Sequence, residues 1–187
     1  YSALSLWDTF RAWHPLMTLI DHDLVRNIHN SMLNSYSCDK KLPIWPLSSG
    51  ETGCMIGYHS VAVLAEAYLN GSRNFDAYYA LEAMIATAIN RTEVLDYYVK
   101  NGFIPQNGKR ESVSCLLEYA YDDWCISAMA ERMGETAVAA KYRQRAANFT
   151  RCFDGGSRFF RGRRSDGNWS EGFDPYEAGR HYTEAKA

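Results

Sequence analysis

Apolar positions recur along this chain at intervals of three and four residues, and that spacing predicts helices over most of its length. Residues 6–20 read as a first helix, interrupted or kinked near Pro15, because proline removes a backbone donor and crowds the preceding turn. Leu24, Ile28 and Met32 share one face of a second helix over residues 23–34. A third is expected over residues 52–69, with Ile56, Val63 and Ala67 on one side and Asn70-Gly71 as its stop. An alanine-rich stretch over 75–89 follows, with Asp76 placed to cap it, then a short turn of helix over 93–99 before Asn101-Gly102. Residues 112–133 form the longest pattern and are apolar around most of the circumference, as an inner helix would be. Residues 135–153 are amphipathic, with Lys141, Arg143, Gln144 and Arg145 on the wet side of an outer helix. Past Asp154-Gly155-Gly156 the pattern changes, and residues 159–169 read as a short hairpin or extended loop closed by Asp166-Gly167.

The predicted fold class is therefore all-α, with buried helices alternating with amphipathic ones and long loops between them. Such a series fits part of an α/α toroid of helical hairpins. About three hairpins are present, with no fixed-period repeat, which is roughly half of what closure requires. Residues 1–187 are read as a fragment of a single domain.

Composition adds limits. A net charge of −2 gives no electrostatic reason to expect a nucleic-acid partner. No apolar run reaches the length of a membrane span, and the first residues show no basic region of a signal peptide. Five cysteines (Cys38, Cys54, Cys115, Cys125 and Cys152) include no Cys-x-x-Cys pair, which argues against a zinc ribbon. Cys54, Cys115 and Cys125 fall in apolar stretches and are expected to be buried. Aromatic residues supply 14% of the chain, which suits either a Tyr-rich core or stacking on the flat apolar faces of sugars.

Candidate chemistry gathers in two places. In Ser49-Gly-Glu-Thr-Gly-Cys-Met-Ile-Gly-Tyr-His59 a carboxylate, Glu51, is expected where a loop becomes a helix, with His59 about two turns further on. In Trp7-Asp-Thr-Phe-Arg-Ala-Trp-His14, Asp8 and Arg11 are spaced as a helical ion pair, with Trp7 and His14 able to share a face. Asp122 and Asp123 lie on the mostly apolar helix, so they need buried partners or a cavity. Arg161, Arg163 and Arg164 read as a solvated hairpin edge.

The blocks Ser5-Leu-Trp-Asp-Thr-Phe-Arg-Ala-Trp-His-Pro-Leu16, Glu51-Thr-Gly-Cys-Met-Ile-Gly-Tyr-His-Ser60, Leu117-Glu-Tyr-Ala-Tyr-Asp-Asp-Trp124 and Tyr182-Thr-Glu184 resemble glycoside hydrolase family 92, the calcium-dependent exo-acting α-mannosidases. The resemblance implies part of an (α/α)6 barrel, with the family's amino-terminal β-sandwich and the later half of the barrel absent. It implies inverting release of terminal α-linked mannose, with α-1,2 linkage expected, from mannosides or N-glycans. Inversion uses two carboxyl groups about 6.5–9.5 Å apart. The family's acid corresponds to Glu184, with Glu51 as runner-up, and the general base is not in this chain. Trp7, Asp8, Arg11, His14, Glu51 and His59 are carried over as substrate-binding residues. Calcium is implied as cofactor, with no ligand assignable, because the Tyr-Thr-Glu block continues Ala185-Lys186-Ala187 where the family has Gly-Asn-Ala. The implied partner is a mannose-containing oligosaccharide or glycoprotein glycan, and the implied location is secreted, periplasmic or cell-surface. The chain alone is expected to be inactive, and the alternative reading is a non-catalytic carbohydrate-binding remnant or helical scaffold.

Overall fold

Two carboxylates on one buried helix reach across to a single tyrosine, and much of the architecture can be followed outward from that contact. A computed structural model describes residues 3–48, 50–89, 93–108 and 111–176. Among them are eight α-helices and two small antiparallel hairpins. The first helices are α1 (Leu6–Thr9), α2 (Trp13–Ile20) and α3 (His22–Asp39). The hairpin β1 (Pro46–Leu47) and β2 (Gly50–Glu51) precedes α4 (Ser60–Leu69) and α5 (Ala77–Ile89). Then come α6 (Glu93–Asn101), α7 (Ser112–Met133) and α8 (Thr136–Ala146), a 3-10 turn Ala147–Cys152, and the hairpin β3 (Phe153–Asp154) with β4 (Phe159–Phe160).

The chain divides into two units. One comprises residues 1–90 and 122–143, the other 91–121 and 144–187. In the first, α2 packs on α3 and α4, and α5 on α3 and α4. The core there joins Ile28 and Met32 of α3, Val61 and Leu64 of α4, and Met84 of α5, all buried. Asp122 and Asp123 are wholly buried: Asp122 accepts from the Tyr58 backbone N–H at 2.7 Å and Asp123 from the Tyr58 hydroxyl at 2.9 Å. In the second unit Tyr98 donates its hydroxyl to the Arg145 carbonyl at 2.9 Å and tilts its ring against Tyr119.

Several expectations need correcting. The first helix does break, but at residues 10–12; Pro15 lies inside the first turn of α2, where its missing N–H is no loss. Helix α3 runs on to Asp39, capped by the Asp21 side chain on the Leu24 N–H (3.0 Å) and ended by Lys40 at φ 56°. The third helix begins at Ser60, since Gly53 and Gly57 adopt φ of 62° and 75°, which a right-handed helix excludes. Cys54 is consequently exposed in a loop, whereas Cys115 and Cys125 are buried as expected. Asp76 caps α5 through the Tyr79 N–H at 3.0 Å. Past residue 152 there are two turns. One joins β3 to β4, and the other brings Arg163 and Trp169 into an isolated antiparallel bridge around Asp166-Gly167. The three arginines stitch this region: Arg161 donates to the Ser170 carbonyl, Arg163 lies 3.7 Å from the Trp169 ring centroid, and Arg164 pairs with Asp166 and Glu171.

The segment 42–46 is buried from Leu42 to Ile44, half-buried at Trp45 and Pro46, and lies in a sheet only at its end, so its backbone groups are answered one by one. The Leu42 N–H donates to Thr87 Oγ1 at 2.8 Å, and the Pro43 carbonyl accepts from the Ser60 hydroxyl. Replacing Thr87 with valine keeps the volume and removes the acceptor. Thr87→Val should lower the urea unfolding free energy by about 1–3 kcal/mol, the penalty for a buried N–H left without a partner. An unchanged unfolding midpoint would contradict this accounting.

Candidate functional site

The segment 44–46 is also what joins the two sequence blocks of interest. The Leu6 N–H donates to the Ile44 carbonyl at 3.0 Å and the Ala3 N–H to the Pro46 carbonyl at 2.8 Å, so the start of α1 is tied along it. From the other side, Glu51 Oε2 accepts from the N–H groups of Ile44 at 2.6 Å and Trp45 at 3.1 Å. Its Oε1 accepts from Trp45 at 3.1 Å and from Gly53 at 2.9 Å. Glu51 is therefore a clasp on its own loop, standing in strand β2 and not at a helix start. Both its oxygens accept from backbone N–H groups, so the carboxylate is engaged in holding its own loop.

On α1, Asp8 is exposed and accepts from the Ser5 hydroxyl. The Arg11 guanidinium lies over aromatic rings, 5.5 Å from the Trp7 centroid and 4.8 Å from that of Phe10. The Phe10 ring in turn lies 4.4 Å from His59, centroid to centroid. His59 is wholly buried at the turn that opens α4. A Cβ added to Gly57 would fall 2.3 Å from the His59 ring and 3.1 Å from Asp122 Oδ2, so glycine permits this close approach as well as the positive φ. Trp7, Asp8, Arg11, Glu51 and His59 thus come together around the 42–59 loop, though His59 and Glu51 face inward as supports.

His14 lies apart from them, on α2. It sits at 2% exposure, edge-on to Trp13, and burial lowers its pKa to about 4. His29 on α3 is equally buried against Phe75, and its pKa is lowered to about 4 by burial and by the charge His14 would carry. Neither His14 Nε2 nor His29 Nδ1 has a hydrogen-bond partner among the described residues. Both rings are neutral wall material at ordinary pH.

Glu184, Tyr182 and Arg180 lie outside the described residues. Among those described, no group of three or more His, Cys, Asp or Glu side chains could hold a metal ion. The described side chains by themselves do not supply the six to eight oxygen ligands that a calcium ion takes. No helix of the described residues is long and apolar enough to cross a membrane.

A family model for the glycosyl hydrolase family 92 catalytic domain matches residues 1–187, and the chain belongs to that family. It is similar to the family GH92 α-mannosidase BT3965 from Bacteroides thetaiotaomicron, at 39% identity and a TM-score of 0.94 over 100% of this chain and 26% of that one. The same enzyme in complex with mannoimidazole gives 40% identity and a TM-score of 0.90 over 95% of this chain and 24% of that one. The inverting mannosidase BT2199 from B. thetaiotaomicron VPI-5482 is 36% identical, with a TM-score of 0.94 over 100% of this chain and 26% of that one. The chain thus spans about a quarter of the length of these relatives. No curated protein matches it.

The buried histidines give a measurable pH dependence. In the unfolded chain each has a pKa of about 6.5, and in the folded chain about 4. Their contribution is complete above pH 6.5 and is lost as pH falls towards 4, because only the unfolded chain then takes up protons. Urea unfolding between pH 7.5 and 5 should show stability falling by an amount on the order of several kcal/mol. His14→Leu should reduce that slope, and a pH-independent wild-type midpoint would contradict the buried neutral pair.

Proposed function

We propose that this chain is part of the (α/α)6 catalytic barrel of an exo-acting, inverting α-mannosidase that removes terminal α-linked mannose, of α-1,2 type, from mannosides or N-glycans. The observation that carries the proposal is the family match along the whole chain, supported by relatives whose names record α-mannosidase and inverting mannosidase. The exposed Asp8 accepts hydrogen bonds from hydroxyls of the terminal sugar, and Trp7 offers an apolar face to its ring. Arg11, held over two rings, fixes that wall. His14, His59 and Glu51 act behind it by keeping α1, α2 and the 42–59 loop in register.

The chemistry needs two carboxyl groups on opposite sides of the glycosidic bond. Glu184 is the proton donor: as the bond from the anomeric carbon to the leaving oxygen breaks, that oxygen takes the Glu184 proton. A carboxylate outside this chain accepts a proton from water, whose oxygen attacks the anomeric carbon from the opposite face and leaves it inverted. The engagement of both Glu51 oxygens with backbone N–H groups supports Glu184 over Glu51 in the acid role. With only one of the two carboxyls, the chain alone is inactive. A calcium requirement of the complete domain is part of the proposal and is carried by family membership.

The test grafts this chain into the corresponding segment of a complete family member. Glu184→Gln should slow hydrolysis of α-1,2-mannobiose by a factor of about 10² or more, and that of an aryl mannoside with an acidic leaving group far less. The first mannose seen by NMR should be the β-anomer. Equal losses on both substrates would remove Glu184 as the acid, and mannose release unchanged in chelator would remove calcium.

A further inference from the structure

The end of α4 away from the Gly57–His59 turn opens into a polar cleft of about 270 Å³. Helix α4 has ten residues, so the cleft lies about 15 Å from that turn. Its walls come from the end of α2 (Thr18), the start of α3 (His22 and Val25) and the residues after α4, from Asn70 to Asn74. The volume falls just short of the range typical of drug-sized ligands, about 300–1,000 Å³, and so suits one small ring.

The lining is held in place before any ligand arrives. Arg73 Nη1 donates to the carbonyls of Tyr68 and Ser72, each at 2.7 Å, and its guanidinium lies 4.0 Å from the Tyr68 ring centroid. Its Nε and Nη2 donors have no partner among the described residues, and they remain for a ligand. The Asn70 amide nitrogen donates to Glu66, which leaves its carbonyl oxygen to accept. Asn74 accepts from the Ser72 hydroxyl and reaches the His22 carbonyl at 3.5 Å. Between Asn70 and Ser72, Gly71 at φ 95° lets the chain turn sharply enough to present these side chains on one wall.

The mixture selects the ligand class. No carboxylate lines the cleft, so it lacks the oxygen set of a divalent cation. Its one fixed cation already has two carbonyl oxygens against its edge, which weakens it as an anion clamp. What remains is a set of donors and acceptors interleaved around an apolar floor of Val25 and Ala67, as neutral vicinal hydroxyls on a ring require. We infer that this cleft is a second sugar-binding site, taking a single neutral pyranose between Asn70, Arg73 and His22. The ligand class rests on the cleft itself, and the choice of mannose among pyranoses rests on the proposed function.

Titrating the protein with methyl α-D-mannopyranoside and following backbone and side-chain amide NMR signals tests it. Saturable shifts are expected at Asn70, Arg73 and Asn74. Asn70→Ala and Arg73→Ala should each weaken the apparent Kd by about tenfold, the worth of one or two hydrogen bonds, with the thermal melt unchanged. Should either variant unfold, Ser72→Ala, which removes one wall hydroxyl, gives the same reading. Inorganic phosphate should give no saturable shift there. Binding of methyl α-D-glucopyranoside but not the mannoside would support the cleft and count against mannose alone. Absence of saturable shifts with either sugar, or phosphate binding in their place, would overturn the inference.

Discussion

A largely buried segment with almost no sheet around it must have its backbone satisfied by side chains and by neighbouring loops, and residues 42–46 are such a segment. Thr87 answers the Leu42 N–H, Ser60 answers the Pro43 carbonyl, and Glu51 answers the N–H groups of Ile44 and Trp45. Leu6 and Ala3 supply backbone donors to its carbonyls. Leu6, Glu51, Ser60 and Thr87 belong to four different elements, so the segment ties α1, β2, α4 and α5 of the first unit together. An unmet group at this depth would cost about 1–3 kcal/mol, comparable to a large part of a small domain's stability.

The same constraint sets what the proposed site residues can do. Because Glu51 is a clasp, it shapes the loop and is not offered to a leaving group. Because α1 is sewn to the segment through Leu6, Trp7 and Asp8 stand at a fixed place beside it. Tyr58, held at its backbone N–H and its hydroxyl by Asp122 and Asp123, anchors the far end of the loop and brings His59 under Phe10. A site built in this way is rigid before substrate arrives, which favours positioning over induced rearrangement.

Much of the helical framework was legible in periodicity. The span 112–133 is read correctly from its apolar run, and Asp76 caps α5 as its position suggests. The loop was not legible to the same degree. Thr52, Cys54, Met55 and Ile56 have a composition compatible with helix, and only the positive φ of Gly53 and Gly57 prevents it. The role of Glu51 depends on amides six and seven residues upstream, a contact that no local pattern encodes. Asp122 and Asp123 were legible as carboxylates in need of partners, but that both partners belong to one tyrosine 64 and 65 residues away was not. The family was legible in the sequence blocks, and the whole-chain match shows it.

Preorganisation of the 42–58 loop by its side-chain contacts would protect its backbone amides in the native state. Native-state hydrogen exchange of the Leu42, Ile44, Trp45 and Tyr58 amides measures that directly. Protection comparable to the buried amides of α4, with Ile44 and Trp45 losing theirs selectively in Glu51→Ala, is the predicted result. Exchange of these four amides at the rate of an unstructured chain would contradict it.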